Sequence, residues 1–159
     1  MIAQGYGNGQ RVEIRVGRQG PPGPVGPVTP FGQPIDMTVF GSIPTLLLTL
    51  PGIPAGKAGV QLVEGYVMAQ DQASAGVCAF QVVALLKQDA AGNLSLAGDP
   101  TNGNQAPNPS VTQYVADVAM EGCGLALSVG MTGLMVVGTG VAGLDVRWIG
   151  TLMVAGNNS

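Results

Sequence analysis

Residues Val77-Cys-Ala-Phe-Gln-Val-Val-Ala-Leu-Leu-Lys-Gln88, followed at once by Asp89-Ala-Ala-Gly-Asn93, carry the reading of the fold. The first segment is a short apolar run bounded by turn signals, the mark of a strand. The second sets Asp, Gly and Asn between two apolar runs and reads as a hairpin turn into Asn93–Leu96. Within the strand, Val82–Leu86 is apolar at consecutive positions, so both of its faces are expected to be covered. In a small single domain, the outer cover is expected to come from a neighbouring subunit.

The pattern continues on both sides. Ile35–Phe40, Thr45–Leu50, Val60–Ala69, Val111–Met120, Gly124–Val129, Leu134–Val137 and Leu144–Val154 are further strand candidates, with Gly, Asn, Asp or Pro in nearly every gap. Gly138-Thr-Gly-Val-Ala-Gly143 reads as another bend, and no segment has a capped stripe of helical period. The expected fold is all-β, an antiparallel β-sandwich or jelly-roll knob of about eight strands. It occupies residues 35–159, behind an N-terminal arm (1–16), a collagen-like segment (17–28) and a Pro/Gly hinge (29–34).

The segment from Gly17 to Val28 consists of four Gly-X-Y triplets, with Gly17, Gly20, Gly23 and Gly26 in frame. Pro21, Pro22, Pro24 and Pro27 all fall within it, although the whole chain has 12 prolines. Only glycine fits at the axis of a collagen triple helix, so the run predicts a three-chain stalk. The other reading is a single-stranded polyproline II linker. Either form spans about 35 Å, and twelve residues are too few to hold three chains unaided. Upstream, Arg11, Glu13 and Arg15 alternate with Val12, Ile14 and Val16, which predicts a strand with one buried face. Its unpaired edges suit addition to a sheet in a sister chain or a host protein. Arg11, Val12, Ile14, Arg15 and Val16 are therefore the expected anchoring residues.

Charged residues make up 9% of the 159-residue chain and hydrophobic residues 46%, a balance that suits extensive burial against other subunits. Residues 1–28 carry three arginines against Glu13, or +2, which leaves −5 for the remainder of a chain whose total is −3. A basic arm on an acidic body suits docking on an acidic protein surface and disfavours nucleic acid as a partner. No apolar run approaches the roughly 18 residues of a membrane span, so no membrane insertion is expected. Met1–Gln10 also lacks the basic start and apolar centre of a signal peptide.

Histidine is absent. That removes Ser-His-Asp and Cys-His catalysis and histidine-based zinc sites, and no phosphate-cradling glycine loop occurs. No catalytic residue, metal or cofactor is expected, and the protein is expected not to be an enzyme. Asp89, Asp99, Asp117, Glu121 and Asp145 fit solvated turn or strand positions better than a paired-carboxylate site. Cys78 and Cys123 lie in apolar runs, where buried free thiols are the default and a disulfide stays open. Trp148 fits core or interface packing better than a sugar-stacking platform. The longest structureless stretch, residues 97–110, offers Asn102, Asn104, Gln105 and Asn108 as a candidate recognition loop for a sugar or protein.

Residues 79–93, together with Gly140-Val-Ala-Gly143 and Val146-Arg-Trp148, give the C-terminal half a pattern that resembles the β-sandwich heads of tailed-bacteriophage virion proteins. Such heads occur in tail-tip fibres and in capsid-decorating spikes. The resemblance implies a homotrimer on the virion, anchored through its N-terminal arm to the major capsid protein or another virion protein, with a distal β knob. A cement protein or head fibre is the preferred expectation, because about 35 Å of stalk is short for a receptor-reaching fibre. A tail-fibre adhesin that binds a host-surface glycan or protein is the alternative, and a soluble collagen-stalked lectin is a third, disfavoured by the missing signal-peptide pattern.

Overall fold

The computed structural model describes residues 2–4, 11–13, 28–54, 56–98, 101 and 103–158. Its long strands follow from period-two burial. In β6 (Val77–Gln88), Cys78, Phe80, Val82, Ala84 and Leu86 are buried, while Val77, Val83 and Leu85 on the opposite face stay exposed. Within one chain, then, the consecutive apolar run has only one covered face. β6 pairs antiparallel with β5 (Gly59–Asp71), from Gly59 opposite Gln88 to Gln70 opposite Val77. β5 in turn pairs with the C-terminal β11 (Asp145–Asn158), and β11 with β3 (Val28–Phe40). Two short strands, β7 (Leu94–Leu96) and β8 (Ser110–Ala116), share the other edge of β6.

A second antiparallel sheet has the order β4 (Thr45–Pro51), β10 (Gly133–Thr139), β9 (Gly124–Val129). Leu47, Leu50, Leu134 and Val136 from this sheet join the inward residues of the large sheet in one hydrophobic cluster. Each such Leu or Val contributes about 1.5–3 kcal/mol when fully buried. At its centre, the Trp148 indole stacks on Phe80 with ring centroids 5.9 Å apart and an interplanar angle of 22°. Gly138 of β10 lies directly over the indole, where an added Cβ would come within 2.8 Å of the ring and 2.7 Å of Leu47. Trp148 is therefore a core residue, as its sequence context suggests.

Several boundaries differ from the sequence reading. Residues 29–34 are not a hinge: they lie within β3, where Phe31 pairs with Val154, Gln33 with Leu152 and Pro34 with Thr151. β11 is long enough to offer them partners, and β3 is a sheet edge, where a proline without an N–H is tolerated. The large sheet therefore begins at Val28. The strand expected over Val111–Met120 stops at Ala116, and Val118–Met120 forms a single 3-10 turn that buries Met120. Arg11–Glu13, expected to pair with another chain, forms β2 and pairs with β1 (Ile2–Gln4) in a two-stranded sheet of its own. Ile14, Arg15 and Val16 of the arm lie outside the described residues, as does the triplet run through Gly17, Gly20, Gly23 and Gly26 with Pro21, Pro22, Pro24 and Pro27.

The hairpins are held by carboxylates. Asp71 accepts hydrogen bonds from the Ala73 and Ser74 backbone N–H groups and from the Ser74 hydroxyl, closing the β5–β6 turn. Asp89 accepts from the Asn93 backbone N–H and side-chain amide at 2.9 and 2.8 Å, so the β6–β7 turn falls where the sequence places it. At the outer edge, Arg147 forms a two-pronged ion pair with Asp36 at 2.9 Å. These contacts hold all three carboxyls below their ordinary range: the Ser74 hydroxyl leads for Asp71, the Asn93 amide for Asp89 and the Arg147 guanidinium for Asp36.

The fold makes two predictions. Gly138→Ala forces a methyl against Trp148 and is expected to cost about 1–3 kcal/mol; a urea titration should show a lower midpoint with an unchanged slope. Carboxyls depressed in the folded state add stability that is complete above the unfolded-state value of about 3.9 and is lost as pH falls through their folded values. The melting temperature should therefore fall as pH drops below about 4, and Asp71→Asn should flatten that dependence.

Candidate assembly interface and binding loop

The outer face of the large sheet is built from alternate residues of its three central strands. Register sets Met153, Glu64 and Val83 side by side in one row, Thr151, Tyr66 and Gln81 in the next, and Ile149, Met68 and Ala79 in a third. Tyr66 and Met68 are 58% and 51% exposed, and Val60, Val77, Val83, Leu85 and Met153 are each 38–44% exposed. These seven apolar side chains share the outward face with Glu64, Gln70, Gln81 and Lys87. A groove of about 730 Å³ crosses the face between Tyr66 and Met68 on one side and Val83 and Met153 on the other. Glu64 is the one charged residue lining it. The Arg147–Asp36 pair lies toward the β3 edge.

Sequence reasoning singled out Val82–Leu86 of this face and missed Tyr66 and Met68. The missed signal was apolar residues at the outward as well as the inward positions of β5, at Val60, Leu62, Tyr66 and Met68.

The candidate recognition residues do not act as one group. Asn108 is a structural staple: its Oδ1 accepts the Leu85 N–H at 3.0 Å, and its Nδ2 donates to the carbonyls of Leu85 and Ala97, both at 2.7 Å. The side chain thus fills the place of a strand residue on the edge of β6, between β7 and β8. Gln105 packs its amide close to Gly98, where the backbone is left-handed (φ +104) and an added Cβ would lie 3.0 Å from the amide nitrogen. Asn104 is exposed, and Asn102 lies outside the described residues. Leu96, Gly98, Gln105, Pro107 and Asn108 line a second groove at this end of the sheet.

Of the candidate carboxylates, Asp89 closes its hairpin and Asp117 accepts the Val77 N–H at 2.9 Å. Asp99 lies outside the described residues. Among the described residues, no group of three or more His, Cys, Asp or Glu is placed to hold a metal ion, and no helix is long and apolar enough to cross a membrane. A buried amide also has a structural role. Gln88 donates to the carbonyls of Ile53, Pro54 and Lys57, which fastens the β4–β5 connection to the end of β6.

Removing the staple separates structure from recognition. Asn108→Ala leaves the Leu85 N–H without its partner, while the Leu85 carbonyl keeps the Ala97 N–H, and is expected to cost about 1–3 kcal/mol; hydrogen exchange should show faster exchange at Leu85.

No family model and no curated protein matches this chain. Two solved structures are similar in part. One is the tailspike protein of Acinetobacter baumannii phage AM24, with a TM-score of 0.46 and 9% identity over 82% of this chain and 27% of that one. The other is the tailspike protein of Acinetobacter phage vB_ApiP_P1, with a TM-score of 0.29 and 16% identity over 95% of this chain and 26% of that one. The chain thus spans about a quarter of the length of the tailspikes it is similar to.

Proposed function

We propose that this chain is a non-enzymatic structural protein of a tailed-phage virion, a homotrimer whose β-sandwich knob assembles through the outer face of its large sheet. The uncovered apolar face carries the reading. Its exposed Tyr66, Met68, Val83, Leu85 and Met153 would be costly to leave in water and match the aromatic and methionine enrichment of subunit interfaces. Three copies meeting on this face would bring three N-terminal segments to one end, which is the arrangement the Gly-X-Y triplets require. The arm of residues 1–16 then anchors the trimer on the capsid, in the manner of a decorating spike or cement protein.

The second reading is a tail-fibre tip, and the groove beside Gln105 and Asn108 favours it. That groove lies at the edge of β6 between β7 and β8, next to Leu85, and its amide side chains suit a host-surface glycan or protein.

Sedimentation of the whole protein at micromolar concentration is expected to give a trimer. Met68→Arg with Val83→Lys should yield a folded monomer with unchanged far-ultraviolet circular dichroism. A monomeric parent protein, or a double variant that remains trimeric, refutes the assembly face. Deleting residues 1–16 should abolish binding to the particle while leaving the trimer intact, and a reconstruction of the particle decides between shell and tail.

A further inference from the structure

Few charges lie on the outward rows of the large sheet, and register fixes the place of each. Glu64 stands between Val83 of β6 and Met153 of β11, with Leu62 and Tyr66 before and after it on its own strand. The adjoining rows add Gln81 and Thr151 beside Tyr66, and Leu85 and Ala155 beside Leu62. None of these can neutralise a carboxylate.

The nearest cation on the face is Lys87, opposite Val60 and two rows away along the strands, or about 14 Å. Arg147 stands opposite Gln70, three rows away in the other direction, about 20 Å, and Asp36 holds it at 2.9 Å. Asp145 lies one row beyond Arg147, at the start of β11. Lys57 belongs to the connection between β4 and β5 and is off the face. Among the described residues, the Glu64 and Lys87 side chains have neither a hydrogen-bond nor an ion-pair partner. One anion and one cation are thus left single on the same exposed face. Water serves both while the face is open. A second copy that covers the groove strips that water from the Glu64 carboxylate, and a charge buried without a counter-charge is strongly unfavourable.

We propose that the occupant of this face is a second copy set obliquely across it, with the Lys87 ammonium of one chain seated on the Glu64 carboxylate of the next. The pairing rests on the reading of this face as the trimer contact, and it adds the register of that contact. An interface that joins one patch to a different patch is the kind that closes into a ring, and closure at three gives each carboxylate one ammonium group. The offset of two rows sets the strands of neighbouring copies at an angle to one another. Tyr66, Met68, Val83 and Met153 supply the apolar burial, which has no direction of its own. The ion pair supplies the direction and rejects a slipped arrangement, in which both charges would be covered unpaired.

The test is charge reversal at both positions in the whole protein. Glu64→Lys or Lys87→Glu alone sets like charges against each other and should weaken the trimer about tenfold or more in sedimentation, with unchanged far-ultraviolet circular dichroism. Glu64→Lys combined with Lys87→Glu restores opposite charges and should return the dissociation constant to within about threefold of the parent. A zero-length carbodiimide should join the parent chains into dimer and trimer bands on a denaturing gel, with Glu64 and Lys87 in one cross-linked peptide. A monomeric parent protein refutes the assembly face and the pairing with it. A trimeric parent that tolerates both single reversals, a combined reversal no better than either alone, or cross-linking of Glu64 to a different lysine overturns the pairing and leaves the face standing.

Discussion

The contact of the Trp148 indole with Gly138 governs the spacing of the two sheets. Facing sheets pack about 10 Å apart, and an indole lying in that gap leaves room for nothing larger than glycine opposite it. Phe80 supports the ring from the next-but-one strand, β6, and Leu47 closes over it from the small sheet. The other inward residues of both sheets form the same cluster around this centre. A three-stranded sheet covers only the inner face of the large one, and the outer face keeps Tyr66, Met68 and Leu85 exposed.

Much of this was legible in the sequence. Turn residues at Asp89–Asn93 and the apolar runs around them locate β6 and β7 closely, because the local chemistry of a hairpin is complete within a few residues. The same holds for β4, β5, β9, β10 and β11. Only the C-terminal half of β3, Ile35–Phe40, was legible; its first half was hidden, since Pro30 and Pro34 locally argue for a hinge and only the length of a strand far away in sequence makes them part of a sheet. The structural role of Asn108 was hidden in a related way. Asn108 looks like a free amide in an amide-rich loop, whereas its bonds go to Leu85, which is distant in sequence and adjacent in space.

With 9% charged residues, the chain has few charges for its strand ends, and among the described residues amides and aspartates take over that work. Gln88 and Asn108 fasten loops to β6 through backbone carbonyls, and Asp71 and Asp89 gather the N–H groups of tight turns. These side chains serve main-chain groups at the ends of the ladders, from the buried Ile53 carbonyl to the exposed Asn93 N–H. On the outer sheet face, Glu64 lies in the groove, Lys87 beside Val60, and Arg147 is paired with Asp36.

The prolines of β3 have a further consequence. β3 is the open margin of the large sheet, and Pro30 and Pro34 withhold two of the N–H donors that an incoming strand would need. The opposite margin is broken into two short strands by the Asn108 insertion. Growth of the sheet by lateral recruitment is thereby blocked on both sides. The route by which copies of this chain would add strand to strand into an endless ribbon is shut by the backbone itself.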